Sequence, residues 1–444
     1  MMFEDIGLLA PKILLPKKGI DLQRWAVIAC DQYTSDRSYW QRLAAQVGDA
    51  PSTLKLTLPE VYLEDADVDE RISRINATME QYLTEGILEE QPPGFLLVDR
   101  RTSAVPSRKG LIVALDLERY DYRPGTQSLI RATEGTIVER LPPRIKVRER
   151  APIELPHIMV LIDDPRQTVI EPLFREQLET LYDVDLLNNG GHITGYRVAA
   201  PKLQQQVAKA LEKLSDPDGF RQRYEVDAPV MLYAMGDGNH SFATAKAIWE
   251  RVKDEAGDMR QVLDHPARFA LVELVNVHDP GLEFEAIHRV LFNVDGELFA
   301  QAMGDYYRQQ GMELTLTPCG DVISSLACAA EVEQGHAFAM NLGGQFFACA
   351  VADPELTLEV ATLQAFLDDF LKRAPQAKID YIHGEREVTE LGSQPGCVGF
   401  YLPSISKHDL FRTIIRDGAL PRKTFSMGEA DEKRFYLECR RIIR

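Results

Sequence analysis

The residues 236–241, Gly-Asp-Gly-Asn-His-Ser, set an acid, an amide, an imidazole and a hydroxyl beside two glycines. Met235 before them ends an apolar run, and Phe242-Ala-Thr-Ala-Lys246 after them reads as the start of a helix. A strand that ends in a Gly-rich turn and enters a helix frees backbone N–H groups. The helix N-terminus adds roughly half a positive charge, so a phosphate can be held there. Gly236 and Gly238 permit close backbone approach, while Asp237, Asn239 and His240 stand at the mouth of the crevice where open α/β sheets bind ligands. The same residue types also make an ordinary helix start, because Asp and Asn favour turns and Ser caps helices. The pattern is neither a Walker loop nor a dinucleotide fingerprint.

Other stretches could add charge or a base. Arg131, Arg140, Arg144, Lys146, Arg148 and Arg150 cluster with Glu134 and Glu139 in a chain of net charge −18. Guanidinium forks bind phosphate or carboxylate bidentately, and Glu134 and Glu139 could pair with the arginines or serve as a base; a solvated basic face is the plain reading. His278-Asp-Pro-Gly-Leu282 is followed by His288-Arg289. Such a His-Asp step can position an imidazole for proton transfer, though a histidine at a strand end is more often structural. Arg422 and Lys423, within Leu420-Pro-Arg-Lys-Thr-Phe-Ser-Met-Gly-Glu-Ala430, could close over a phosphate or simply precede a last helix capped by Ser426 and Glu429. Asp31-Gln-Tyr-Thr-Ser35 reads first as a polar turn after a strand at Trp25–Ala29.

The elements that must carry these residues alternate along the chain. Apolar positions Ile72, Ile75, Met79, Tyr82 and Leu83 predict an amphipathic helix, and Leu203, Val207, Leu211 and Leu214 another. Phe95–Val98, Leu111–Leu115, Ile158–Ile162, Val230–Met235 and Phe269–Val277 read as strands, with a hairpin at Asn188-Asn-Gly-Gly191. A helix is expected near Pro172–Tyr182, others at 241–252, 296–309 and 358–373, and a basic one after Glu429. Tyr120–Arg150, with seven basic residues, four acids and three prolines, reads as an extended functional loop.

At 444 residues the chain is too long for one core. The expected organisation is a mixed α/β, multi-lobed chain: an N-terminal lobe over 1–119, a central lobe over 120–295 and a C-terminal α/β lobe over 296–444. The acidic balance opposes binding to nucleic acid and to anionic membranes, and no apolar run reaches the roughly 20 residues of a membrane span. Six scattered cysteines without a CxxC pair give no zinc or disulfide framework. With no secretory signal read at the start, a cytoplasmic protein is expected.

Taken together, Trp25–Ser35, Gly236–Ser241, His278–Leu282 with His288-Arg289, and Leu420–Ala430 resemble the family filed as domain of unknown function 1015, over about residues 10–440. The family's Asp-Gly-(Asn/His)-His turn resembles that of the ParB/sulfiredoxin-like superfamily, which includes partition proteins, sulfiredoxins and free-serine kinases. The resemblance implies a ParB/sulfiredoxin-like phosphate-binding core, with Asp237, Asn239, His240 and Ser241 around a transferred phosphate. It further implies ATP or ADP as donor, Mg²⁺ held by Asp237, and a small hydroxyl-bearing acceptor such as free L-serine, whose proton Glu134 or His240 would take. The superfamily commonly carries Arg where this chain has Ser241, so a guanidinium would come from Arg131, Arg140 or Arg144. A slowly hydrolysing nucleotide switch and a non-catalytic metabolite-binding protein are the alternatives. A sulfiredoxin-like activity would need a reactive cysteine, for which Cys30 is the candidate. Oligomeric state is not legible.

Overall fold

The computed structural model describes residues 1–123 and 125–444; Pro124, in the basic stretch, lies outside the described residues. The chain forms two compact units, Met1–Glu283 with Met427–Arg444, and Phe284–Ser426. The expected boundary after residue 119 falls inside the first unit, whose main sheet takes strands from both sides of it.

Edge to edge, the core of that sheet runs Glu179–Asp185, His192–Val198, Phe95–Arg101, Arg108–Asp116, Phe269–Asn276, Met159–Ile162, Tyr233–Asp237 and Ile130–Arg131. The first four pair antiparallel in sequence, the hairpin at 188–191 joining the first two. Phe269–Asn276 is parallel to Met159–Ile162, and Tyr233–Asp237 is parallel to Ile130–Arg131. Between these pairs, Met159–Ile162 runs antiparallel to Tyr233–Asp237, with Met159 opposite Asp237. The central strands are apolar on both sides because both faces are covered. Leu203, Val207 and Leu211 of the helix Pro201–Leu214, with Phe242 and Trp249 of the helix Asn239–Ala256, bury one face. Trp40, Leu43, Ile75 and Met79 pack in the cluster on the other, together with Phe435, Tyr436 and Leu437 from near the C-terminus. The mixed α/β class expected from the sequence is the observed one.

Several local expectations are corrected. Residues 120–150 are not a continuous loop: a helix spans Leu141–Arg148, with prolines in its first turn and with Leu141 and Ile145 packed on Ala243. The helix expected near Pro172–Tyr182 is a 3₁₀ turn at Glu171–Arg175 followed by the edge strand Glu179–Asp185, where tertiary pairing overrides a weak helical pattern. Trp25 ends a short helix, Leu22–Trp25, and the strand is only Val27–Ile28. It pairs with Phe435–Tyr436, and Arg440–Arg441 pairs with Ile153–Glu154. The predicted terminal helix is therefore absent: Glu429 instead caps a 3₁₀ turn at Ala430–Glu432, and the two strand pairings hold the chain beyond that turn extended.

The second unit is a six-stranded antiparallel sheet in the order Glu313–Cys319, Gln345–Ala352, His336–Leu342, Cys397–Tyr401, His288–Phe292 and Lys378–Ile382. The helices Gly296–Gln309 and Glu359–Arg373 meet through Phe299, whose ring lies 5.4 Å from that of Phe366. Among the described residues no helix is long and apolar enough to cross a membrane.

Candidate phosphate site

The strand Tyr233–Asp237 ends in Asp237, and Gly238 turns the chain into the 18-residue helix Asn239–Ala256, the site helix. Gly238 holds φ at +78°, which favours glycine, and a Cβ there would sit 3.0 Å from the Ile158 backbone, a tight approach. Asp237 Oδ1 accepts from the Gly238 N–H at 2.8 Å. Its other oxygen lies 3.4 Å from Lys433 Nζ. Burial opposes ionisation of Asp237, but Lys433, the nearby His157 and the Gly238 N–H outweigh it and hold the carboxyl below its ordinary range.

His157 enters because Met159, two residues later, pairs with Asp237. Its Nε2 lies 3.0 Å from Ser241 Oγ and 3.5 Å from Asp31 Oδ2; its Nδ1 lies 2.8 Å from the Tyr436 hydroxyl. That hydroxyl donates to Cys30 Sγ and accepts from the Cys30 N–H, both at 3.1 Å. Burial, with Asp31 and Glu60 nearby, pushes the Cys30 thiol well up. A thiol so placed is protonated and a poor nucleophile, the opposite of what sulfiredoxin-like chemistry asks.

Beside these groups lies a cavity of about 130 Å³. Ser241, His157, Tyr436, Arg144 and Glu60 supply polar groups to its wall, among apolar side chains such as Leu58 and Met79. Arg144 donates to Glu60, and each is about four-fifths buried.

The sequence-derived candidates divide. Gly236 and Asp237 end the strand, Gly238 makes the turn and Asn239, His240 and Ser241 open the helix, and Arg144 reaches the same cavity as Ser241. Glu134 follows the carboxyl end of Ile130–Arg131, which is parallel to the Asp237 strand, so both follow strands ending at the same edge. Arg131 is turned elsewhere: its buried guanidinium donates to the carbonyls of Ser128 and Pro229. Arg140 is exposed and contributes its backbone carbonyl, which accepts from Arg144. His278 contacts Asp163 at 2.6 Å, beyond the carboxyl end of Met159–Ile162 and hence at the edge opposite Asp237.

His288, Arg289, Arg422 and Lys423 belong to the second unit. There Arg289 is fully buried, donating to the carbonyls of Ile287 and Arg422. Arg422 donates to the Tyr381 hydroxyl at 2.8 Å. His288 Nδ1 accepts from the Leu402 N–H, and burial with Arg289 alongside pushes its pKa down to about 4. Lys423 takes a left-handed backbone conformation at φ 56°.

His157, Lys433 and Tyr436 escape a reading of the sequence. His157 lies just before a recognisable strand, and only the antiparallel pairing of that strand with Tyr233–Asp237 reveals its place. Lys433 and Tyr436 fall in the stretch whose composition suggests a helix that does not form.

Residues 14–370 match the model of a family described as a protein of unknown function, DUF1015. No curated protein matches the sequence. Solved structures with some likeness include a free serine kinase in complex with AMP, 11% identical with a TM-score of 0.38, covering 75% of this chain and 91% of that one. A conserved hypothetical protein from Pyrococcus furiosus is 13% identical at 0.35, covering 73% and 90%. SbnI with a C-terminal truncation from Staphylococcus aureus is 9% identical at 0.35, covering 71% and 82%. The chain belongs to the DUF1015 family.

Proposed function

We propose that this DUF1015 protein transfers a phosphoryl group from a nucleotide, ATP or ADP, to the hydroxyl of a small metabolite at the Asp237 turn. The observation that carries this reading is the Asp237–Lys433 pair at the N-terminus of the site helix, beside a cavity edged by Ser241 and His157. Phosphoryl transfer asks mainly for positioning and charge neutralisation. The positive end of the helix and Lys433 offer both to an anion. The cavity has room for on the order of ten waters, the scale of a small metabolite rather than a macromolecule.

In this reading Gly238, Asn239 and Ser241 hold the phosphate, Lys433 offsets its charge, and Arg144 orients the acceptor from the cavity wall. Glu134 or His240 takes the acceptor's proton. Mg²⁺ typically keeps several waters and needs only one or two carboxylates besides the substrate phosphates. A single ionised donor, Asp237, fits that requirement; among the described residues no cluster of three or more His, Cys, Asp or Glu could hold a metal by itself. The ion would supply further neutralisation of phosphate charge. The likeness of the Asp-Gly-Asn-His turn to that of ParB/sulfiredoxin-like proteins makes free L-serine the first acceptor to try.

Calorimetric titration of ATP and ADP with Mg²⁺ into the wild type and Lys433→Met tests the anion site. Binding weakened at least tenfold in the variant supports the reading; equal affinity removes the site from the Asp237–Lys433 pair.

A further inference from the structure

We infer that Ser241 is a covalent phosphoryl carrier, activated by His157; the inference rests on the phosphoryl-transfer reading above. An activated nucleophile is marked by a base within hydrogen-bond reach, itself oriented by a third group. Ser241 meets each condition. Its Oγ lies 3.0 Å from His157 Nε2, while His157 Nδ1 lies 2.8 Å from the Tyr436 hydroxyl. With its proton turned to Cys30 Sγ, the Tyr436 oxygen can accept from His157 Nδ1–H, and the proposal takes this tautomer. In it the Nε2 lone pair faces the Ser241 hydroxyl. Asp31, 3.5 Å from Nε2, faces the imidazolium that proton uptake would create. His157 is 9% exposed and Tyr436 1%, so the base is held by packing as well as by hydrogen bonds. Ser241 and His157 both open onto the cavity, where an incoming phosphoryl group can reach them.

Ser241 is the third residue of the site helix. A phosphate carried on its side chain would lie within the first turn, where the helix dipole favours negative charge. The two steps balance. In the first, Ser241 Oγ bonds to phosphorus and gives its proton to His157 Nε2. The bond from phosphorus to the bridging oxygen of the nucleotide breaks, and its electron pair stays on that oxygen. In the second, the acceptor hydroxyl oxygen bonds to phosphorus and releases its proton to Glu134 or His240. The Oγ–P bond breaks, and Oγ recovers the proton held on His157.

The test incubates the full chain with Mg²⁺ and γ-labelled ATP or β-labelled ADP without acceptor. After acid quench, the phosphate is located by peptide mass spectrometry, and parallel samples are chased with free serine and other hydroxy metabolites. The expected result is label on Ser241 that chases into a small product. His157→Gln should slow labelling by about 10²–10⁴-fold, the usual contribution of a positioned base. Phosphorylated product without label on Ser241 would overturn the carrier while leaving phosphoryl transfer standing. Label on another residue would overturn it equally. Neither label nor product with either donor would overturn both.

Discussion

Lys433 Nζ lies 3.4 Å from the carboxylate of Asp237, so the Met427–Arg444 segment supplies a charge to a turn formed far earlier in the chain. Removing that ammonium in Lys433→Met leaves Asp237 with burial raising its pKa and less to oppose it. Asp237 is a carboxyl depressed in the folded state. Its contribution is present above the ordinary carboxylate range and is lost as pH falls through the folded value. The acid limb of kcat/KM should therefore move to higher pH in Lys433→Met, with kcat lowered about 10²–10³-fold, as for loss of one preorganised charge-stabilising group. An unmoved acid limb would show that Lys433 does not act through Asp237.

Gly238→Ala places a Cβ in a left-handed conformation and within 3.0 Å of Ile158. The conformation alone costs about 1–2 kcal/mol. Chemical denaturation should show at least that loss, together with weakened nucleotide binding. Wild-type stability and affinity would mean that the turn relaxes without consequence.

The difference between Gly238 and Lys433 also explains what the sequence made legible. Strand, Gly turn and helix start are local features, so Asp237 through Ser241 could be picked out from residue type and spacing. Arg144 stands out by its charge and reaches the cavity, but its neighbour in the same cluster, Arg131, is bound to two carbonyls, a distinction that charge counting cannot make. His157 arrives through the register Met159 to Asp237, and Tyr436 through the pairing of Phe435 with Ile28. Such non-local pairings carry no marker in the residues themselves. The last residues mislead because Arg440 and Arg441 look like a basic helix end, although Arg440 is buried against Glu154 at 2.6 Å.

Arg434 sits at the centre of a second buried network, bridging Glu273 of the main sheet and Glu438. All three side chains are at most 3% exposed. Arg434→Met would strand two buried carboxylates, a loss on the order of 3–5 kcal/mol. Because Lys433 and Tyr436 flank Arg434, nucleotide binding should fall in the same variant. Urea unfolding and calorimetry on one sample check both; a stability loss below about 1 kcal/mol would contradict this account of the segment.

His288 predicts a pH dependence in the second unit. Its folded pKa of about 4 lies below the ordinary histidine value, so between about pH 6.5 and 4 the unfolded chain binds the extra proton. The stability due to neutral His288 is present above about pH 6.5 and is lost as pH falls toward 4, at most about 3 kcal/mol in all. His288→Asn keeps an acceptor for the Leu402 N–H and cannot titrate. Denaturation at pH 7 and 4.5 should show a smaller acid loss in the variant than in the wild type; equal losses would assign the acid sensitivity to other groups.

Phosphoryl transfer at Asp237 can be read by ³¹P NMR of the full chain with Mg²⁺, ATP or ADP and a pool of free serine and related hydroxy metabolites. A new phosphomonoester resonance is expected, and it is lost in Asp237→Asn, a variant that keeps an acceptor for the Gly238 N–H. A spectrum unchanged by the wild-type protein, or a resonance that persists in Asp237→Asn, would contradict it.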